Sequence, residues 1–178
     1  EMWHHSATRA NVETLRDRGA LVVDPAEGRL TGADTGPGRL PEPAAIADLC
    51  EALLQRQGRA ADLLGLRVLI TAGGTREALD PVRYLGNRSS GRQGWALAAT
   101  AVARGASVEL IAANVEMPDP AGCSVTRVSS TDDLHKAVIE KSAACDVVVM
   151  AAAVADFRPS AVSESKIKKV DGEAPADL

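Results

Sequence analysis

Three stretches of the chain are apolar almost without interruption: RVLITAGG (67–74), SVELIAA (107–113) and DVVVMAAAVAD (146–156). A strand with one wet face alternates apolar and polar residues, so runs of this kind predict strands covered on both faces. Between them the period changes. Trp95, Ala98, Ala99 and Val102 form a helical stripe that stops at Gly105. TRVSS (126–130) is a further strand candidate, and Ser130 with Asp133 resembles a capping box before a helix bearing Leu134, Ala137 and Val138. Buried strands alternating with helices predict a doubly wound, mainly parallel α/β sheet of Rossmann-like type with right-handed crossovers. In such sheets ligands sit beyond the carboxyl ends of the strands, and the unusual sequences of this chain all fall there.

Composition supports that architecture and removes several others. Of 178 residues, 46% are apolar but only 2% aromatic, so the core must be built from Ala, Val, Leu and Ile. A formal net charge of −4 provides no broad basic footprint for nucleic acid. No apolar run reaches the length of a membrane span, and no signal-peptide pattern opens the chain, so a cytoplasmic protein is expected. Cys50, Cys123 and Cys145 are odd in number, widely spaced and without a CxxC, and His4, His5 and His135 do not complete a metal set. Buried, reduced thiols are the expectation, and no metal ligands can be named.

The front of the chain reads as less complete. Ser6 or Thr8 is expected to cap a helix carrying Val12 and Leu15, with Gly19 as its stop and ALVVD (20–24) as a buried strand. Residues 25–43 are rich in Gly and Pro, without period, and read as a loop. Ile46, Leu49, Cys50 and Leu53 then mark one helix face, and the polar QRQGRAAD (55–62) suits a linker. One strand cannot make a sheet, so this segment must dock on something else or on the rest of the chain. It is read as the tail of a preceding domain. The first residue is Glu1, which is not expected of a natural N-terminus.

Four stretches carry candidate chemistry. TAGGTREALDPVR (71–83) follows a strand, and Gly73 and Gly74 could admit a ligand to the backbone. It is neither GxGxxG nor a P-loop, and a tight turn explains it equally well. Asp80-Pro81-Val82-Arg83 reads as polar loop punctuation. NRSSGRQG (87–94) offers an amide at Asn87, hydroxyls at Ser89 and Ser90, and an unobstructed N–H at Gly91 where a helix begins. Helix starts attract anions, and Arg88 or Arg92 could add charge, although a plain cap with solvated arginines is the alternative. AAAVADFRPS (151–160) places small residues at a strand end before Asp156, which could meet a ribose or base, or cap a turn. KIKK (166–169), if extended, puts Lys166 and Lys168 on one face and Ile167 on the other, a pattern that exposed edge strands also use against aggregation.

Taken together and in order, TAGGTREALDPVRYLGNRSSGRQG, AAAVADFRP and KIKK closely resemble the phosphopantothenoylcysteine synthetase family. This is the phosphopantothenate–cysteine ligase part of the bifunctional bacterial coenzyme A biosynthesis proteins. The resemblance covers about residues 64–178. EMW at the start resembles the end of the PxMNxxMW motif of the flavin-dependent phosphopantothenoylcysteine decarboxylase, and GPGRLPEP (36–43) its substrate-binding flap. The implied division is a flavodoxin-like decarboxylase remnant over 1–57, a linker over 58–63, and a ligase domain over 64–178 that is incomplete at its end. The flap's usual Cys is missing, with Leu30-Thr31-Gly32-Ala33 in its place. Most of the FMN-binding region and the catalytic His of the decarboxylase are also outside the sequence, so FMN is expected only in the complete protein.

The resemblance implies ligation of 4′-phosphopantothenate to L-cysteine with CTP and a divalent cation, usually Mg²⁺, through an acyl-cytidylate. Decarboxylation to 4′-phosphopantetheine would follow in the complete protein. Lys166 matches the motif lysine of the activation step, and Lys168 a supporting residue. Asn87 matches the Asn that holds the acyl oxygen. Asp156 matches a nucleotide contact beside a backbone wall at Met150, Ala151 and Ala152. Ser89, Ser90 and Gly91 would receive phosphate oxygens, and Gly73, Gly74 and Thr75 would shape the neighbouring loop. The resemblance also implies a homodimeric ligase in which a flap carrying the KIKK-type sequence closes over the partner's site, and dodecamers for the bifunctional members. Two other readings stay open from the residues: an NAD(P)-binding Rossmann oxidoreductase, which lacks GxGxxG, and an inactive, truncated nucleotide-binding fragment.

Overall fold

The computed structural model describes residues 2–30, 34–55 and 61–168. Its centre is a four-stranded, wholly parallel sheet made of β3 (Arg67–Gly73), β6 (Ser107–Ala113), β7 (Cys123–Val128) and β8 (Val147–Met150), in the order β7-β6-β3-β8. Counted from β3, the spatial order is third, second, first, fourth. That is the order of a Rossmann-type half, with its switch point between β3 and β8.

Helices cover both faces, which is why β3 and β6 lack alternation. Val68, Ile70 and Ala72 of β3 join Val108 and Leu110 of β6 on one face. There they pack on Ala98, Ala101 and Val102 of α3 (Arg92–Ala103). Leu69 and Ile111 face the other way, onto Leu134 and Ala137 of α4 (Thr131–Ser142). Leu69, Ile70, Leu110 and Ile111 are each 1% exposed or less. Burying one such side chain stabilises by about 1.5–3 kcal/mol. The capping box at α4 is present: Asp133 N–H donates to Ser130 Oγ at 3.1 Å, and Ser130 N–H donates to the Asp133 carboxylate at 3.1 Å. The β6–β7 crossover has no helix, and Trp95 Nε1 seats it by donating to Pro118 O at 2.8 Å.

Several expectations change at the front of the chain. The first helix, α1 (Ser6–Asp17), is capped by His5, whose side chain accepts from Ala7 N–H, rather than by Ser6 or Thr8. Residues 20–24 form no strand, for none of the described residues pairs with them; Arg16 instead reaches Val22 O and the Asp24 carboxylate. The Gly/Pro-rich stretch is not all loop. It contains an antiparallel hairpin, β1 (Ala26–Arg29) with β2 (Thr35–Arg39), in which Gly28 lies opposite Gly36. Helix α2 (Pro43–Gln55) buries Ala45 and Leu49, with Ala52 and Leu53 alongside, so its apolar face is rotated from the expected one and Cys50 is exposed. This helix packs against α3 in the core of the sheet domain. The linker expected at 58–63 falls partly outside the described residues.

The strand at 146–156 is also shorter and wetter than its sequence suggests. β8 has four residues and lies at the sheet edge, with Val147 and Val148 about two-fifths exposed and Met150 more so. A continuous apolar run marks a strand but does not reveal whether both of its neighbours are present. The three cysteines are free. Contrary to expectation none is fully buried: Cys50 is exposed, and Cys145 and Cys123, the latter at the start of β7, are half-buried. Burial, followed by the Asp119 and Glu109 carboxylates, pushes the Cys123 thiol up to about 12.

Candidate active site at the strand ends

The carboxyl ends of β3 and β8 are tied together by hydroxyls inside the sheet. Thr71 Oγ1, fully buried, accepts from Ala151 N–H and Ala152 N–H at 3.0 Å each. Thr75, equally buried, accepts from Ala155 N–H at 2.8 Å and shares a hydrogen bond with Thr131 Oγ1 at 3.1 Å. Ala153 N–H donates to Gly73 O at 2.7 Å, and Thr75 N–H to Ala153 O at 3.2 Å. The amides of residues 151, 152, 153 and 155 are therefore committed to the protein. The wall they form would meet a ligand with small side chains and carbonyls.

On the other side, Asn114, with φ 52°, donates through Nδ2 to Gly74 O and Ser129 O at 2.9 Å each. The two glycines are explained by their own backbone surroundings. Gly73 has φ 89°, and a Cβ there would lie 2.0 Å from Ala113 O, while one on Gly74 would lie 2.8 Å from Asn87 O. Their close approach is to the protein itself, which accounts for the double glycine without a ligand.

Asn87 follows β4 (Arg76–Ala78) and β5 (Tyr84–Gly86), a small antiparallel ribbon. Its Nδ2 donates to Val154 O at 2.7 Å, which fixes the amide against the wall. Ser89 and Ser90 are exposed. The Gly91 N–H, expected to stand open, donates to Ser89 Oγ at 3.3 Å, and Gly91 is a left-handed N-cap (φ 75°) with no side-chain capping bond. The N–H groups of the first turn of α3 therefore lack a side-chain partner at the cap, the condition that favours an anion.

A cleft of about 710 Å³ opens beside these elements, lined among others by Leu79, Asn87, Asp156, Arg158 and Ile167. It brings Asn87 and Asp156, which lie in separate motifs, to one surface. Lys166 and Lys168 flank Ile167 at its rim, both exposed. Gly73, Gly74, Thr75, Ser89, Ser90, Gly91, Met150, Ala151 and Ala152 lie at the neighbouring strand ends and helix start and do not line this cleft. A second cleft of about 410 Å³, between the β1–β2 hairpin and residues 119–125, contains none of them.

KIKK is not an edge strand over its described residues, 166–168. Ile167 N–H donates to Asp80 Oδ2 at 3.0 Å, and Arg83 Nη2 donates to Ile167 O. Asp80 has a fully buried side chain and also accepts from Val82 N–H (2.9 Å), Arg83 N–H (2.8 Å), Arg83 Nε (3.0 Å) and Arg83 Nη2 (2.7 Å). Burial alone would push this carboxyl up. The bonds from the Val82 and Ile167 backbone and from Arg83 outweigh it and hold it at about 2. Thr71, Asp80, Arg83 and Asn114 thus organise the site without having been singled out as site residues. Only the polar cluster at 80–83 was visible in the sequence.

A Rossmann-like α/β domain with a cleft beside its strand ends is the class of protein these features define. Residues 63–178 match the family described as DNA/pantothenate metabolism flavoprotein C-terminal domain, and residues 1–55 match the family described as flavoprotein. The chain belongs to the first of these, the DNA/pantothenate metabolism flavoprotein C-terminal domain family. It is 55% identical to the coenzyme A biosynthesis bifunctional protein CoaBC of Mycobacterium tuberculosis over its whole length, and spans 43% of that relative. Against the protein of the same description from Vibrio cholerae it is 44% identical, with 95% of this chain and 41% of the relative aligned. A crystal structure of the C-terminal domain of a CoaBC protein superposes with TM-score 0.54 at 46% identity, covering 56% of this chain and 50% of that one. A Cab2 mutant in complex with phosphopantothenate-cysteine superposes at TM-score 0.52 and 19% identity, over 72% of this chain and 59% of that one, a likeness of fold.

Proposed function

We propose that residues 64–178 form part of a phosphopantothenate–cysteine ligase, and that residues 1–57 are the end of a phosphopantothenoylcysteine decarboxylase domain joined to it through 58–63. The observation that carries this reading is the convergence of Asn87 and Asp156 on one cleft, with Ile167, between Lys166 and Lys168, anchored at its rim. Relatives that align along the whole chain are bifunctional coenzyme A biosynthesis proteins, which supports it.

In the proposed reaction a carboxylate oxygen of 4′-phosphopantothenate attacks the α-phosphorus of CTP. The bond from that phosphorus to the α,β-bridging oxygen breaks, giving an acyl-cytidylate and pyrophosphate, which leaves with the bonding pair. The amine of L-cysteine then adds to the acyl carbon, CMP departs with the bonding pair, and the amine proton is lost to solvent. Negative charge accumulates in the first step as carboxylate meets triphosphate, so an exposed lysine at the rim is what that step needs. Lys166 takes that role, with Lys168 in support. In the second step charge develops on the acyl oxygen. Asn87, already braced by Val154 O, has a second amide hydrogen to donate there. Asp156 accepts from the cytidine, the 150–152 wall gives its base room, and the start of α3 with Ser89, Ser90 and Gly91 receives phosphate oxygens. Gly73, Gly74 and Thr75 shape the loop between them.

Among the described residues no three His, Cys, Asp or Glu side chains gather as a metal site. Mg²⁺ is commonly held by substrate phosphates and one or two carboxylates, and Asp156 in the cleft fits that donor set. When bound, the ion supplies charge neutralisation at the phosphates. FMN belongs to the decarboxylase part of the complete protein, and no step here is assigned to it. Homodimeric ligase assembly, a dodecamer of the bifunctional protein and a cytoplasmic location complete the proposal. No described helix is long and apolar enough to cross a membrane.

The two half-reactions test the roles separately. In the complete protein, Lys166→Gln should nearly abolish pyrophosphate release. Asn87→Asp should release pyrophosphate but slow amide formation by about 10²–10³-fold, the usual cost of removing one oxyanion donor. Normal pyrophosphate release by Lys166→Gln, or unchanged turnover with cysteine by Asn87→Asp, refutes the respective role.

A further inference from the structure

We propose that Asp80 and Arg83 form a main-chain clamp whose work is to position the lysine-bearing segment for the activation step. The inference rests on the ligase reading given above and adds to it two residues that act through the segment. Asp80 Oδ2 accepts the N–H of Ile167, and Arg83 Nη2 donates to the C=O of the same residue. One carboxylate–guanidinium pair thus satisfies both polar groups of a single peptide position more than eighty residues away, as a strand neighbour would. A second tether, Ser163 N–H to Leu79 O at 3.0 Å, holds the same segment to the same loop.

The pair is itself well braced. Asp80 Oδ1 is occupied by Val82 N–H and Arg83 N–H, which fix the loop, while Oδ2 carries the fork of Arg83 and the incoming Ile167. Because the grip is on backbone, it does not engage the flanking side chains of Lys166 and Lys168, which are exposed. Leu79 and Ile167 both line the cleft that holds Asn87 and Asp156, so the clamp fixes the base of the segment beside that cleft. Gripping the backbone fixes where a cation stands while leaving its ammonium free for phosphate, which a salt bridge to the lysine itself would not. Asp80 is then a positioning residue, and its buried carboxylate has a use beyond shaping a turn.

The test compares wild type, Asp80→Asn, Ile167→Pro and Ile167→Ala in the complete protein. Pyrophosphate release from phosphopantothenate and CTP is followed, together with tryptic cleavage after Lys168 and the thermal midpoint. Asp80→Asn and Ile167→Pro should each lower the rate of release by about 10²-fold, the scale of a misplaced catalytic group. Cleavage after Lys168 should accelerate at least about tenfold as the segment opens locally. Ile167→Ala keeps the N–H and should lose much less of both. Should Asp80→Asn fail to fold, the Pro and Ala pair still decides the matter, since it leaves the Asp80–Arg83 loop untouched. Faster cleavage with an unchanged rate overturns the positioning role, and unchanged cleavage in Ile167→Pro overturns the clamp. A wild-type protein that releases no pyrophosphate sinks the ligase reading and the positioning role with it, while the cleavage comparison still decides the clamp.

Discussion

Asp80 shows how a single side chain can be misjudged when its partners are remote. In sequence it belongs to an Asp-Pro turn, and the hydrogen bonds to Val82 and Arg83 are local enough to be expected there. Its bond to Ile167 is not, because that partner is far along the chain and the contact is made by backbone. The same holds for Thr71, whose hydroxyl is buried in an apolar strand and binds two amides of the 151–152 turn. A Thr in a β-strand needs no special explanation, so nothing flagged it. Asp80 also carries a pH prediction. Its folded value, about 2, lies below the ordinary 3.8, so ionised Asp80 stabilises the fold above about pH 4, and that contribution is lost as pH falls through about 2. Arg83 is the charged group facing it. Acid titration followed by circular dichroism should show wild type losing stability relative to Asp80→Asn between about pH 4 and 2. Parallel curves would contradict the assignment.

Elements were legible where local pattern and tertiary environment agree. β3, β6, α3 and α4 have residues of the right period facing a covered side, and the Ser130–Asp133 capping box was readable from four letters. The β1–β2 hairpin was hidden because Gly and Pro normally punctuate loops, and its pairing depends on Gly28 meeting Gly36 across the ribbon. The 20–24 segment failed in the opposite way: apolar residues without a neighbour do not make a strand. Gly94 belongs to the same scale. A Cβ there would lie 2.4 Å from Ala72 Cβ, so this glycine is what allows α3 to lie directly on β3. Gly94→Ala should cost about 1–3 kcal/mol through overpacking, despite the better helix propensity of alanine. Thermal or denaturant unfolding of the variant measures it, and an unchanged midpoint would show that α3 can shift without loss.

For the molecule as a whole, the strand order, the switch point and the cleft form one consistent arrangement. The sheet type followed from uninterrupted apolar runs. The exposed edge at β8 did not follow, since a run of Val reads alike at the centre and the edge of a sheet. Asn87 and Asp156 were individually visible as polar residues beside small ones, but their shared cleft needed the fold. The glycines of the first turn were visible for a different reason from the one first apparent, since they pack against Ala113 and Asn87. The central claim is that this cleft couples a carboxylate to an amine by way of a nucleotide. It is tested most directly by incubating the complete protein with 4′-phosphopantothenate, L-cysteine and each nucleoside triphosphate in turn while following pyrophosphate. Release that requires phosphopantothenate and is fastest with CTP is the predicted result. No phosphopantothenate-dependent pyrophosphate with any of the four nucleotides would contradict the account.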